Sequence, residues 1–504
     1  MIKSLSMQNI IFGVITIVIS SMFYFFAWKN YKREKYGISV FFIVLGGLAF
    51  YSFTASDFFL HAWDERYHAL VAKNLIKHPL MPTLYDNPIL TFDYKMWVGN
   101  HIWLHKQPVP LWLMAGSMRI FGVHEISLRL PSILMSSIGI FLTFKIGSYF
   151  FNKKVGVLAA FLFSVNGLVI EMTAGRVATD HVDIAFMFFI LLAVFFTTEF
   201  IERKSLLFSL LIGLSIGAAI LTKWLAGLIV LPIWLVLVWG SKSFSNKSLI
   251  IHFFLILFAM VLVALPWQLY IFRQFPLEAA YESNFNMRHF TEVIEDRSGS
   301  VFYFIKKIRI NYGELIYLPL LWLVWTTFKK PRNDKKIALC IWFLIPLFIF
   351  SLAKTKMQGY LLFTAPALFI ISSAFFFELQ AYKDKIKTKW ISNLILALLI
   401  ILPIRYGIER MKPFEKRDRN PHWTLELKEL KAMNVKNGIL FNYNNPIEAM
   451  FYTDLVAYSI LPPKEKIEQL KNEGYVIFIN DNGNLGNIYA MEGVNIIKLT
   501  TANN

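Results

Sequence analysis

The chain has 504 residues, of which 56% are hydrophobic and only 17% charged, with a formal net charge of +18. A soluble domain usually carries about 25% charged residues, so the composition excludes an ordinary soluble protein. The apolar residues occur in runs of about 17–24, the length that crosses ~30 Å of hydrocarbon as a helix. Membrane β-barrels show ~10-residue alternating segments instead. The composition therefore predicts an all-α polytopic membrane protein.

The positive charge argues against nucleic-acid binding because it is concentrated in short loops between the apolar runs. These loops lie near residues 29, 153, 203, 242, 329 and 383, and the positive-inside rule assigns them to the cytoplasm. The single cysteine, Cys340, excludes an intramolecular disulfide and is interpreted as inert packing within an apolar run.

With those loops inside, the chain alternates across the membrane about 12 times and both termini lie outside. The first apolar run is interpreted as a retained helix, because it lacks the small-residue cleavage site of a signal peptide. The predicted spans are 9–28, 37–54, 126–149, 155–171, 183–201, 205–221, 225–240, 249–268, 311–327, 337–353, 360–379 and 390–406.

Two larger segments are predicted on the external side. Within the transmembrane domain, 1–409, the first large loop is 57–125, and its apolar stretch 110–122 is too short to span and predicts an interfacial helix. Residues 410–504 predict a small α/β extracytoplasmic domain. Its expected strands are "GILFNYN", "AMFYTDLVAYSI", "YVIFIN" and "GVNIIKLT", and its expected helices are "PHWTLELKELKAM" and "PPKEKIEQLKNEG".

The loop stretch "WDERYHALVAKNL" places Asp64 and Glu65 side by side at the membrane boundary. One interpretation is a helix cap, because a carboxylate accepts amide hydrogen bonds at a helix start. The other is a general base, or a ligand of a metal or of an acceptor substrate. Adjacent carboxylates at a lipid boundary are costly unless they are paired or used, so a functional site is favoured.

Further along the same loop, "HIWLHKQPVP" contains Lys106 just before the interfacial helix. A lysine here can snorkel to lipid headgroups, or its ammonium can neutralise a phosphate. His101 and His105 together with the upstream carboxylates allow a weak zinc hypothesis, since their spacing matches no compact zinc motif.

Two later stretches place charges on the same predicted face. "TAGRVATDHVDIAF" carries Arg176, Asp180 and Asp183 at the outer mouth of a span. "SLAKTKMQGY" carries Lys354 and Lys356 on the side that the positive-inside bias disfavours for lysine. A phosphate-bearing ligand would account for these cations.

Taken in order, these stretches resemble the GT-C fold glycosyltransferases that use lipid-phosphate sugars, in particular bacterial aminoarabinose transferases and protein O-mannosyltransferases. Four features depart from that pattern, namely Gln107 and Gln358 in place of prolines, His105 where glutamate is usual, and one residue fewer than usual between the Asp-Glu pair and Tyr67. The matching motifs are the Asp64-Glu65 pair, "KQP" at 106–108, "LRLPS" at 128–132, Arg176 with Asp180, "TKW" at 222–224 and "KTKMQGY" at 354–360.

The resemblance implies inverting transfer of a sugar from a polyprenyl phosphate at the outer face of the cytoplasmic membrane. The acceptor would be a hydroxyl or phosphate of a lipid, glycan or protein, and membrane lipids would surround the site. It also implies that Asp64 is the base and that Glu65 and Asp180 assist. No cofactor is certain, and a divalent cation held by Asp64, Glu65 and His105 stays open.

The resemblance further assigns the donor phosphate to four cations, and it adds several other site candidates. A glycan polymerase or ligase acting on lipid phosphates is the main alternative function. A transporter is disfavoured because its charges would lie near the membrane midplane, and a scaffold would not explain the outward lysines. The phosphate ligands are Lys106, Lys354, Lys356 and Arg176, and the other candidates are Tyr67, His105, Asp183, Lys223 and Tyr360.

Overall fold

The computed structural model of the protein describes residues 2–329, 331–385, 388–483, 485 and 491–501. Helices dominate, and they are numbered in chain order. They are α1 Ile2–Lys32, α2 Tyr36–Thr54, α3 Asp64–Leu75, α4 Pro108–Phe121, α5 Glu125–Phe150, α6 Lys153–Ser164, α7 Gly167–Thr173, α8 Asp180–Arg203, α9 Leu206–Lys223, α10 Val230–Ser241, α11 Asn246–Gln274, α12 Pro276–Thr291, α13 Tyr303–Tyr312, α14 Tyr317–Thr327, α15 Asp334–Leu352, α16 Ala365–Tyr382, α17 Lys389–Met411, α18 His422–Ala432, α19 Pro446–Tyr452 and α20 Lys464–Asn472.

The prediction of a multi-pass membrane protein is confirmed. Within the described ranges, nine helices are long and apolar enough to cross a membrane, or ten if α6 and α7, bent by 54°, count as one span. A shorter apolar helix covers Glu314–Thr327. Large apolar side chains such as Phe254 and Phe348 stay exposed on the spans, as a lipid-facing surface requires.

The two short spans predicted between 205 and 240 form one continuous apolar helical stretch, Leu206–Ser241, with a break after Lys223. Helix α9 ends at Lys223, and Trp224 takes a positive φ of 55°. A 3-10 turn, Trp224–Ile229, then leads into α10. A Cβ at Gly227 would lie 3.0 Å from the Cβ of Ala219, so the turn packs against the helix that precedes it.

The two ends of the helical bundle differ in chemistry. At one end lie the basic loops, where Lys335 Nζ donates to the Tyr149 carbonyl and Lys204 stacks over the ring of Phe244 at 5.8 Å. The first loop and the loops before α8, α13 and α16 meet at the opposite end. The polar residues singled out by the sequence are therefore gathered at the end away from the basic loops, as predicted.

In its described residues, the C-terminal region forms a small α/β unit with four parallel strands in the order β2-β1-β3-β4. One prediction differs, because "AMFYTDLVAYSI" begins inside helix α19 and only its middle is extended. A proline at the first turn of α19 favours a helix start there. The strands are β1 Gly438–Phe441, β2 Val456–Ala457, β3 Val476–Asn480 and β4 Val494–Ile497.

The C-terminal unit and the first large loop, 57–125, share one hydrophobic core, which includes Leu70, Trp103 and Trp423. Polar contacts join them as well, because the partly buried Lys73 Nζ of α3 lies 2.6–3.0 Å from the carbonyl oxygens of residues 450, 451 and 453. Arg66 also pairs with Glu448 of α19 at 3.1 Å. Helix α3, which begins with the Asp-Glu pair, is thus held against the C-terminal unit.

Candidate active site

Glu65 lies in a fully buried ion pair with Arg129 of α5. Its carboxylate accepts hydrogen bonds from Arg129 Nε at 2.6 Å and Nη2 at 2.9 Å, and also from the His61 backbone N–H at 2.7 Å. His181 Nε2 lies 3.1 Å away. Burial would raise the pKa of Glu65, but the Arg129 charge lowers it well below its usual range. The second carboxylate of the pair therefore anchors the loop to the bundle.

Asp64 faces a different, partly exposed environment. Its Oδ2 accepts a hydrogen bond from the Thr179 N–H at 3.1 Å and lies 3.7 Å from Lys106 Nζ. Burial would raise the pKa of Asp64, but the neighbouring Lys106 charge above all, together with the Thr179 hydrogen bond, lowers it to about 2. The structure therefore brings Asp64 and Lys106 together, with Asp64 ionised at neutral pH.

Asp180 is buried and points toward His68 rather than toward Lys106. His68 Nδ1 lies 3.0 Å from Asp180 Oδ1, and neither side chain is exposed. The turn before α8 takes positive φ at Thr179, 68°, and Asp180, 22°, a conformation that is uncommon outside glycine. That backbone directs the Thr179 N–H to Asp64 and the Asp180 carboxylate to His68, both on α3.

Asp183 pairs with Lys223, the last residue of α9. Its carboxylate accepts hydrogen bonds from Lys223 Nζ and from the Thr179 hydroxyl. The Lys223 ammonium also lies over the ring of Tyr360 at 4.9 Å. The side chain of Lys223 is 20% exposed, similar to the 21% of Lys106, so both ammonium groups are accessible, Lys223 beside the buried Asp183 and Lys106 beside the partly exposed Asp64.

His105 stacks on Trp97, with centroids 4.5 Å apart, and Trp97 also meets the ring of Tyr67. His105 Nδ1 lies 3.2 Å from Glu282 Oε2 on α12. Burial raises the pKa of Glu282 to about 7, while burial and the Lys106 charge hold the pKa of His105 well below its usual range. Glu282 is a site residue that sequence reasoning missed, although it falls in the buried stripe of α12 at three-residue spacing.

Arg176 pairs with Asp57 and not with the carboxylate of Asp64 or Asp183. Its guanidinium pairs with Asp57 at 3.1 Å and donates to the Met411 carbonyl at 3.1 Å. Asp57 is also contacted by Arg417 at 2.9 Å and Arg419 at 3.4 Å, which reach it from the segment that follows α17. These contacts fasten the start of the first loop to the C-terminal segment, and they occupy Arg176.

Lys354 and Lys356, the two lysines of "KTKMQGY", do not pair with Asp64 or Asp183. Lys356 is buried, and its Nζ donates to the carbonyls of Ser351 at 2.8 Å and Ala353 at 2.6 Å, so it caps the end of α15. A cation at a helix C-terminus stabilises the unsatisfied carbonyls there. Lys354 is exposed, and its backbone N–H donates to the Phe290 carbonyl at 3.2 Å.

The carboxylates proposed as metal ligands separate in the structure. Asp64 and His105 stay close to Lys106, whereas the Glu65 carboxylate is turned to Arg129. Among the residues that are described, no group of three or more His, Cys, Asp or Glu side chains is arranged to hold a metal ion. Asp64, Glu65 and His105 therefore do not fit one shared cation.

Similarity to known proteins agrees with this architecture. The chain has the GT-C fold of membrane glycosyltransferases, as shown by ArnT from Cupriavidus metallidurans bound to undecaprenyl phosphate, with a TM-score of 0.60 at 16% identity over 86% of this chain and 88% of that one. Archaeal oligosaccharyltransferase AglB from Archaeoglobus fulgidus gives 0.55 at 14% identity over 83% and 64%. The predicted fold class is confirmed.

Sequence comparison points to the same class of proteins, the membrane glycosyltransferases. The family model of dolichyl-phosphate-mannose-protein mannosyltransferases matches residues 105–267. An undecaprenyl phosphate-alpha-4-amino-4-deoxy-L-arabinose arabinosyl transferase from Pseudomonas fluorescens is 24% identical over 62% of this chain and 58% of its own length. A protein of Aquifex aeolicus with no assigned function is 27% identical over 67% and 63%. The chain thus spans less than two thirds of the length of these relatives, and the predicted resemblance is confirmed.

Proposed function

We propose that the chain is a glycosyltransferase that moves a sugar from a polyprenyl-phosphate donor to an acceptor at the extracytoplasmic face of the cytoplasmic membrane. The observation that carries the proposal is the placement of Lys106 next to Asp64, 3.7 Å apart and both partly exposed, at one end of a GT-C fold. An ammonium group can hold a phosphate leaving group, and a neighbouring carboxylate can accept a hydroxyl proton.

Lys106 and Lys223 are assigned to the donor phosphate. Each is about one-fifth exposed and each is balanced by a single carboxylate in the described structure, Asp64 and Asp183 respectively. Both ammonium groups can turn toward an incoming phosphate, because a lysine is a compact charge on a flexible stem. Negative charge that develops on the departing phosphate is then stabilised by groups already in place.

Donor binding also changes the chemistry of Asp64. While Lys106 pairs with it, the pKa of Asp64 is held at about 2, which makes the carboxylate a weak base. A phosphate that draws the Lys106 charge to itself removes this stabilisation, so the proton affinity of Asp64 rises. Asp64 is then fitted to take the proton of an acceptor hydroxyl only when the donor is bound.

The function is tested with purified protein in detergent and a panel of polyprenyl-phosphate sugars, by measuring sugar loss from the donor and release of polyprenyl phosphate. Lys106→Ala is expected to lose about 100-fold in rate, because it removes one charged stabiliser of the leaving group. Lys436→Ala, at an exposed lysine of the C-terminal unit, is the matched control and should keep wild-type rate. Binding of the donor without any turnover would contradict the proposal.

The proposed face is tested by labelling. Single cysteines replace the exposed Asn87 and Asn434 in a Cys340→Ser background, and intact cells receive an impermeant maleimide. Labelling of intact cells is expected at both positions, because the basic loops lie at the opposite end of the bundle. Reaction only after cell lysis would place the site on the cytoplasmic side and refute the proposed localisation.

The similarity of fold to AglB favours a second candidate, transfer of a glycan from a lipid-linked donor by a ligase. The same assay separates the two, because a monophosphate donor releases polyprenyl phosphate whereas a diphosphate donor releases polyprenyl diphosphate.

A further inference from the structure

Three arginines converge on one buried carboxylate at the end of the bundle away from the basic loops. Asp57 Oδ2 lies 2.9 Å from Arg417 Nη2 and 3.1 Å from Arg176 Nη2. Asp57 Oδ1 lies 3.4 Å from Arg419 Nη1. Among the residues that the structure describes, Asp57 is the only carboxylate within ion-pair distance of these arginines. Three guanidinium groups therefore share one negative charge, and a cation without a counter-charge is costly when it is removed from water.

The other titratable groups near Asp57 do not supply the missing negative charge. His61 Nε2 lies 3.5 Å from Asp57, and burial lowers the pKa of His61 to about 3, so this histidine is neutral. The nearby Glu65 is already paired with Arg129, one charge against one. The cluster around Asp57 thus keeps an excess of positive charge, which an external anion can offset.

Two of the three arginines still have N–H groups to offer to an anion. Arg417 is the most exposed, with 22% of its side chain accessible against 11% for Arg419 and 7% for Arg176. Arg419 Nη2 is buried and has no hydrogen-bond partner within the described chain, whereas its Nε donates to Asn9 Oδ1 at 2.8 Å. Because Arg417 and Arg419 already reach one carboxylate, they converge closely enough to share one small oxyanion, and guanidinium groups suit phosphate.

The cluster lies where the chain leaves the membrane. Asp57 comes shortly after span α2, and Arg417 comes shortly after span α17. The neighbouring side chains of Phe58 and Phe414 are 45% and 59% exposed. Exposed aromatic rings beside cations are typical of the bilayer interface, where lipid phosphates lie. The positive-inside bias disfavours arginines at this end of the bundle, so a neutralising anion would account for them.

We propose that Arg417 and Arg419 bind the phosphate of an anionic membrane lipid at this end of the bundle. The phosphate oxygens accept hydrogen bonds from the exposed N–H groups of Arg417 and from Arg419 Nη2, and the negative charge offsets the excess around Asp57. The bound lipid thereby helps to fasten the first loop to the segment that follows α17. This inference goes beyond the proposed function, because it involves neither the donor lysines nor turnover.

The test measures lipid retention by native mass spectrometry of the purified full-length protein, titrated in detergent with phosphatidylglycerol or phosphatidylcholine. Preferential retention of phosphatidylglycerol is expected, because the choline cation already balances the phosphate of the other lipid. Arg417→Gln, which leaves Asp57 paired with Arg176 and Arg419, should weaken this retention about 10-fold, the effect of losing one hydrogen bond between charged groups. Lys416→Gln is the matched control, because it removes the same charge from an exposed lysine of the same segment, and it should bind like wild type.

Equal losses of retention in Arg417→Gln and Lys416→Gln would overturn the inference, because surface charge alone would then explain the binding. Equal retention of the two lipids by the wild-type protein would also overturn it, and this result does not require any variant to fold. Inorganic phosphate in lipid-free detergent distinguishes the source of the phosphate. A rise in melting temperature with inorganic phosphate that Arg417→Gln abolishes, without retention of phosphatidylglycerol, would assign the site to a soluble phosphate and refute the lipid.

Discussion

Replacing Glu65 by glutamine should destabilise the protein far more than the equivalent change at its neighbour Asp64. Glu65 and Arg129 are both fully buried, and two of the hydrogen bonds between them measure 2.6 and 2.9 Å. Glu65→Gln removes the counter-charge and turns an amide N–H toward the guanidinium. Arg129 would keep its bonds to the carbonyls of Ala55 and Phe59 but would lose its only ion-pair partner in the described structure.

Removing one partner of a buried ion pair costs ~3–5 kcal/mol. The remaining carbonyl contacts of Arg129 place the expected cost at the low end, about 3 kcal/mol, or roughly a 150-fold change in the folding equilibrium. Thermal unfolding of the purified protein in detergent, followed by tryptophan fluorescence, measures the effect. Asp64→Asn is the matched control, since it changes the adjacent, partly exposed carboxylate.

The companion double variant Glu65→Leu with Arg129→Met should recover stability relative to either single change, because an apolar pair leaves no uncompensated charge. A Glu65→Gln protein that melts like wild type would refute the anchoring role. A Glu65→Gln protein of normal stability with little turnover would instead assign Glu65 to catalysis.

Three further outcomes are expected. Asp64→Asn should fold normally yet lose at least about 100-fold in turnover, the effect of a missing general base; near-normal turnover would remove Asp64 from the site. Lys356→Ala should lower the melting temperature through loss of the α15 cap while donor KM stays near wild type, and a large rise in KM would return Lys356 to the phosphate site. Burial raises the pKa of Glu282 from 4.5 to about 7, so its contribution to stability is present below pH 4.5 and is lost as pH rises through 7. Glu282→Gln should therefore melt above wild type at pH 8.5 and close to it at pH 5, and equal melting temperatures at both pH values would refute the buried-carboxyl explanation.

Sequence was sufficient for the multi-pass membrane architecture because apolar run length reports directly on the spans, and the basic loops mark one end of the bundle. It was also sufficient to place Asp64 and Lys106 at one end of the bundle, where the structure pairs them at 3.7 Å. Arg129 was visible within "LRLPS", and an arginine opening an apolar span is itself a sign of a buried partner.

The choice of partner could not be read from the chain. Asp64 and Glu65 are adjacent, yet a helix turns about 100° per residue, so one faces Lys106 and the other Arg129. Lys356 looked like a phosphate ligand from its side of the membrane, but the end of α15 supplies carbonyl acceptors within its reach. Each assignment depends on contacts between segments that are distant in sequence.

The contacts of Lys73 show how late the packing of the first large loop, 57–125, is completed during synthesis. Its carbonyl partner at Met450 is 377 residues further along the chain. At synthesis rates of about 5–20 residues per second, the first loop waits roughly 20–75 s for the helix that completes its core. During that interval Lys73 and the apolar face of α3 lack their final neighbours, so the loop stays incompletely packed until the C-terminal unit has been made.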